Sequence, residues 1–154
     1  SGKQRIMKTL SFLPLALGLA ILPAFAQDDA AEQLVASKQQ ADMSYRQLME
    51  ILGKASSMIH EGIIRENKQM VKEGADIVLH HPAPNHKPWT IMPPEDQDGF
   101  KQSLLAFDKI LDEHAISAED AATKGDWQTA NSALNDLNAS CISCHAMWRA
   151  KAAQ

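Results

Sequence analysis

The chain has no cysteine outside one helical turn. Cys141 and Cys144 stand three apart near the C-terminal end, with His145 directly behind them. There is no second cysteine pair and no His-x-x-x-His, so a four-ligand zinc site built from two such pairs is excluded. A disulfide across three residues closes so small a loop that it restrains little of the unfolded chain. No strand precedes the pair, whereas a redox C-x-x-C opens a helix after a strand. The sequence also lacks alternating apolar and polar residues, internal repeats and low-complexity tracts. This leaves helix as the regular structure on offer. A membrane-length apolar run is missing too: Leu10 to Leu22 is short and is broken by Pro14 and Gly18, with Pro23 just beyond. Finally, there is no basic excess. The first 26 residues hold three of the fifteen Lys and Arg and none of the nineteen Asp and Glu, which leaves twelve against nineteen, a net of −7. That argues against nucleic acid or an anionic membrane as partner.

What is present is Cys-x-x-Cys-His, the attachment signature for c-type haem. Each thiol adds to one vinyl group as a thioether, and the adjacent imidazole reaches the iron. The spacing lets two sulfurs span two vinyls while His145 points at the metal. One covalent haem c is therefore expected on Cys141, Cys144 and His145. Such attachment takes place outside the cytoplasm, and the N-terminal region is suited to export. Lys3, Arg5 and Lys8 make a basic start, Leu10 to Leu22 is apolar, and Ala24-Phe25-Ala26 is a small-x-small cleavage site before Gln27. Residues 1–26 are expected to be upstream residues plus a signal peptide. Residues 27–154 are expected to form one periplasmic domain with no membrane attachment after the signal is removed.

Apolar spacing within that domain is helical throughout. A first helix is expected to start at Asp28-Asp29 and to carry Leu34, Ala41, Tyr45, Leu48, Met49, Leu52, Ile59 and Ile63 on one face. A turn is expected near Arg65 to Asn67. A second helix, with Met70, Val71, Ala75, Val78 and Leu79, should end by Pro82. "PAPNHKPWTIMPP" is too rich in proline to be helical. A third helix should begin after Pro93-Pro94, where Glu95, Asp96 and Asp98 suit a helix N-terminus, and should turn Phe100, Leu104, Phe107, Ile110, Leu111 and His114 inward. Gly125 is expected to end it, and Asp126 to cap a fourth helix carrying Trp127, Leu134, Leu137, the cysteines and Trp148. The fold class expected is all-α, an antiparallel four-helix bundle with the haem near the C-terminus.

"CISCHAMWR" resembles the cytochrome c-prime family, whose pattern is C-x-x-C-H-x-x-aromatic-basic. Trp148 and Arg149 fill its last two places, and "SYRQLMEILG" is similar to the family's distal helix-one segment. The resemblance implies a four-helix bundle with haem near one end, and two branches. One branch leaves the sixth iron position open and high-spin; the other closes it with a helix-one methionine and is low-spin. Met49 stands where that methionine is expected, ahead of Met43 and Met58, which lie about two turns away. Thioether opposite imidazole raises the potential and suits electron transfer. Arg46, near one turn before Met49, and Arg149 are expected to serve the haem acid groups or edge.

His80, His81 and His86 cluster in "VLHHPAPNH", apart from His60 and His114. If the first two helices fold back near residue 65, His80 or His81 comes near Met49. The cluster then reads as a polar helix end, a competing distal ligand, a contact to a haem acid group or a surface metal site. Trp89 and Met92 in the following loop are expected to cover a bundle end or haem edge. The function expected is periplasmic electron transfer through redox partners with basic surfaces, with no substrate chemistry of its own, and homodimerisation through the outer faces of the first two helices. The alternative is a high-spin protein that binds nitric oxide or carbon monoxide at an open iron.

Overall fold

The computed structural model describes residues 24–153, with side chains from residue 30 onward. The basic start and apolar run expected as an export signal lie outside the described residues, up to its last three positions. Five helices carry the described chain: α1 (Ala24–Ser37), α2 (Tyr45–Ile64), α3 (Lys68–Leu79), α4 (Gln97–Thr123) and α5 (Trp127–Trp148). The all-helical expectation therefore stands. Among the described residues no helix is long and apolar enough to cross a membrane.

The expected first helix is in fact two. It is already helical at Ala24, ahead of Asp28, stops at Ser37 and restarts at Tyr45. The restart has a local cause, a capping box. Ser44 Oγ accepts the Gln47 amide at 3.1 Å, and Gln47 Oε1 accepts the Ser44 amide at 2.8 Å. The segment between the helices pairs instead with the proline-rich loop. Strands β1 (Gln40–Ala41) and β2 (Ala83–Pro84) run parallel, with Gln40 opposite Ala83. The Ala83 and Asn85 amides donate to the carbonyls of Gln39 and Ala41 at 2.9 and 3.0 Å.

The other boundaries fall where local chemistry puts them. Glu66 takes a left-handed φ of 52° and Asn67 caps α3 by accepting the Met70 amide. Gly125, at φ 75°, ends the α4 turn, and Asp126 caps α5 through the Thr129 amide. The proline-rich loop forms two single 3-10 turns, Pro88–Ile91 and Pro94–Asp96, each with proline in its first turn, where no amide is needed.

Helix α2 packs on α3, α3 on α4, α4 on α5, and α5 on α2, while α1 lies against α4. Two apolar clusters result. The larger joins Ile59, Ile63, Val71, Val78, Leu134 and Leu137 with a set of alanines from α2, α3, α4 and α5. Alanine and glycine let the backbones approach. A Cβ on Gly74 would sit 2.7 Å from Ile59 Cγ1, and one on Gly62 would sit 2.8 Å from Val71 Cγ2. The smaller cluster joins Ala31, Trp89, Met92 and Phe100, with Tyr45, Leu104 and Trp148 against it. Tyr45 meets Phe100 edge-on at 6.0 Å between ring centres, and Phe100 meets Trp148 at 5.5 Å. Residues of the smaller cluster, together with Leu111 and Cys141 at the edge of the larger one, line one cavity.

Candidate haem cavity

That cavity has a volume of about 870 Å³, within the roughly 300–1,000 Å³ usual for small-molecule sites. Helix α2 contributes Tyr45, Leu48, Met49 and Leu52, and α4 contributes Phe100, Leu104, Phe107 and Leu111. Helix α5 contributes Cys141, Cys144, His145 and Trp148. Ala31, Leu34 and Val35 of α1 and Pro88, Ile91 and Met92 of the loop complete the wall. Ser56 and Asn138 also line it and join α2 to α5 through a 2.6 Å hydrogen bond. Trp148, on the helix of the cysteines, is oriented by its indole N–H, which donates to Ser103 Oγ at 2.9 Å.

The structure brings together every site residue expected from sequence. Cys141, Cys144, His145, Met49, Arg46 and Arg149 all border this one cavity, although about a hundred residues of chain separate Met49 from His145. Both cysteines are free and half-buried. Burial pushes both thiols above their usual range, and for Cys144 the neighbouring Cys141 adds to this. Both therefore favour the neutral thiol form. His145 is exposed on the same helix face and one turn before Arg149, whose amide donates to its carbonyl at 3.0 Å. Arg46 is 83% exposed and only loosely paired with Glu50, at 3.8 Å. Two thiols, an imidazole and a thioether around a mostly apolar space are the donor set that a covalently held haem uses.

Among the described residues no three His, Cys, Asp or Glu side chains gather as a metal site. His80, His81 and His86 are thus not gathered as a three-residue group, and each ring turns to a backbone carbonyl. A haem iron asks less of the protein, since the macrocycle supplies four ligands and the chain only the axial ones. The three histidines also part company. His80 caps the end of α3, exposed, with Nδ1 3.1 Å from the Asp76 carbonyl. His86 borders the cavity from the exposed loop. His81 lies in the wall, 3.5 Å from Asp108, which also receives Lys38 at 2.9 Å. The polar-helix-end reading holds for His80 and fails for His81.

Lys38, Asp108 and Tyr45 were not anticipated as cavity groups. The signal for Asp108 was available: it falls four after Leu104 and three before Leu111, an acid at a position of the inward face. Burial by itself would raise the Asp108 carboxyl, but hydrogen bonds from His81 and Lys38 outweigh this and hold it below the usual carboxylate range. Asp112, one turn on, is pushed up by burial and then by the charge of Asp108. Burial, with lesser contributions from Cys144 and Asp108, keeps the Tyr45 hydroxyl protonated far above its ordinary range.

No family model, no curated protein and no solved structure matches this chain.

Proposed function

We propose that the chain is a c-type cytochrome that carries electrons in the periplasm. It would bind one haem c through Cys141 and Cys144, with His145 and Met49 as axial ligands. The observation that carries this reading is the convergence of the Cys-x-x-Cys-His turn with Met49 on one mostly apolar cavity of suitable size. When bound, haem supplies a one-electron couple. The chain supplies the thioether links, the two axial side chains, exclusion of water by Leu48, Phe100, Leu104 and Met92, and cations at Arg46 and Arg149 for acid groups. The closed circuit of contacts from α2 through α5 supports an antiparallel four-helix bundle and so the cytochrome c-prime resemblance. α1 and the proline loop then cover one end of the haem site. Export by a signal peptide ending at Ala26, partners with basic surfaces and homodimerisation complete the proposal. No acid–base pair or nucleophile outside the haem chemistry is assigned, so the protein is read as a carrier rather than an enzyme.

The test is expression with a haem-attachment system in a bacterial periplasm. The expected result is a band that keeps its haem colour after denaturing electrophoresis and a sharp α band on reduction. Cys141→Ala or Cys144→Ala should each lose one thioether. The double variant should yield little stable holoprotein, because an unfilled cavity this large is destabilising. A double variant that stays coloured on the denaturing gel refutes attachment at these cysteines. A broad, high-spin reduced spectrum that shifts at once with carbon monoxide would instead assign the gas-binding reading with an open sixth position.

A further inference from the structure

The charged groups bordering the cavity divide into two kinds. Arg46 and Glu50 have side chains 83% and 61% exposed. Lys38, Asp108 and His81 have side chains only 14%, 18% and 12% exposed. Sheltered charge beside an apolar space is costly unless it is paired, and this set is paired through Asp108. Lys38 Nζ lies 2.9 Å from Asp108 Oδ1, and His81 Nε2 lies 3.5 Å from the same oxygen. The other ring nitrogen, Nδ1, is 2.9 Å from the Pro82 carbonyl oxygen. The His81 ring therefore stands between two acceptors. A neutral imidazole has one N–H and serves only one of them; the imidazolium serves both.

We propose that Lys38, Asp108 and His81 form a proton-binding site linked to the redox centre, so that the chain takes up a proton at His81 when it takes up an electron. The inference rests on the haem reading above. One electron arrives from a one-electron carrier protein and lowers the iron by one oxidation state. One proton arrives from solvent and forms one N–H bond on His81, and no other bond changes. Net charge in and around the cavity is thereby conserved. Histidine is the side chain suited to exchange a proton near neutral pH. Added negative charge nearby, in a medium of low dielectric, strengthens its hold on that proton. Asp108 stays ionised because its carboxyl is held low, and it fixes the ring by accepting from both Lys38 and His81. His81 is sheltered but not sealed, and exposed His80 adjoins it, so solvent can supply the proton.

Other groups face this set from each neighbouring element. Asp112 on α4 feels the charges of Asp108, Lys38 and His81 and that of His80 at the end of α3. Tyr45 on α2 faces Asp108 and Cys144. His86 in the loop and His145 on α5 border the same cavity. The test must therefore isolate His81. Haem-loaded protein is titrated with redox mediators from pH 5 to pH 9, as wild type and as His81→Gln, Asp108→Asn and Asp112→Asn. At a fixed applied potential, the wild-type ratio of reduced to oxidised protein should fall as pH rises, by up to about tenfold per unit where one proton accompanies one electron. His81→Gln should abolish that slope and keep the reduced spectrum. Asp108→Asn should move the window in which the slope appears, and Asp112→Asn should leave a slope. In wild type, the NMR titration of the His81 ring should occur at higher pH in the reduced than in the oxidised protein, a readout that needs no variant. A flat potential in wild-type holoprotein, or a His81 ring that titrates identically in both states, overturns the inference and leaves the cytochrome reading intact. Loss of the low-spin spectrum in His81→Gln would make His81 a ligand and overturn it too. Protein that acquires no covalent haem sinks both readings.

Discussion

At the scale of the residue, the sharpest expectation concerns Met49. It shares a helix face with Tyr45, one turn before it, and with Leu52, and all three border the cavity that holds His145. In the proposed cytochrome its sulfur alone closes the sixth position. Met49→Ala cannot ligate, and it leaves an apolar space that can stay dry. In that reading His145 should remain bound, because its neighbours would be tied covalently to the haem. The iron should become five-coordinate or take a water, and the reduction potential should fall, since a thioether favours ferrous iron. Carbon monoxide should bind faster, because nothing has to leave first. If the sulfur–iron bond is worth even about 1.4 kcal/mol, its removal speeds that entry about tenfold. Stopped-flow mixing with carbon monoxide, followed at the Soret band, measures this directly. Equal rates in wild type and variant would reduce Met49 to a packing residue.

At the scale of the element, the joints carry the information. α2 and α3 meet through glycine. A methyl group on Gly74 would press on Ile59 Cγ1 at 2.7 Å and on the Ala55 carbonyl oxygen at 2.9 Å. Neither can yield easily, because one belongs to the core and the other to backbone. Gly74→Ala, stabilising in most exposed helices, should here cost about 1–3 kcal/mol, read as a lower urea midpoint. The break before α2 rests on Ser44. Ser44→Ala removes half of the capping box and should cost about 1 kcal/mol. A thermal melt with an unchanged midpoint would show that the β1–β2 pairing alone sets the joint. That joint was the element-level misreading. Apolar positions at helical spacing, seven and then four residues apart, run on from Leu34 through Ala41 to Tyr45, and periodicity cannot distinguish one helix from two that share a face. The Ser-x-x-Gln at 44–47 was the readable sign of a new start.

At the scale of the whole molecule, acid stability tests the charge arrangement around the cavity. The Asp108 carboxyl is depressed by His81 and Lys38. Its contribution is therefore present above the carboxyl's ordinary value and is lost as pH falls through the lower, folded one. Asp112 has the opposite sign: raised by burial and by Asp108, it works against the fold once pH rises above its ordinary value. Asp108→Asn should cost about 1.5 kcal/mol at pH 6 and flatten the acid limb. Asp112→Asn should be neutral or stabilising at pH 6. Denaturant midpoints by circular dichroism from pH 6 to pH 2 decide both, and a steep acid limb that persists in Asp108→Asn would place the responsible group elsewhere. Occupancy of the cavity should raise the midpoint at every pH, since a ligand held only by the folded chain stabilises it.

The local sequence determined the helical class, the turns at Glu66 and Gly125, the caps at Asn67 and Asp126, and the Cys-x-x-Cys-His turn, because each depends on residues within about four positions of one another. It also determined that the proline-rich loop would not form a long helix. What it could not carry was distance across the chain. That Met49 faces the cavity of His145, that His81 turns inward while His80 turns out, and that Lys38 and Asp108 meet it there are outcomes of helix packing. An imidazole two residues beyond a helix end is free to face either way until another element supplies a partner. Here the partner is Asp108, delivered by α4 from 27 positions further along the chain.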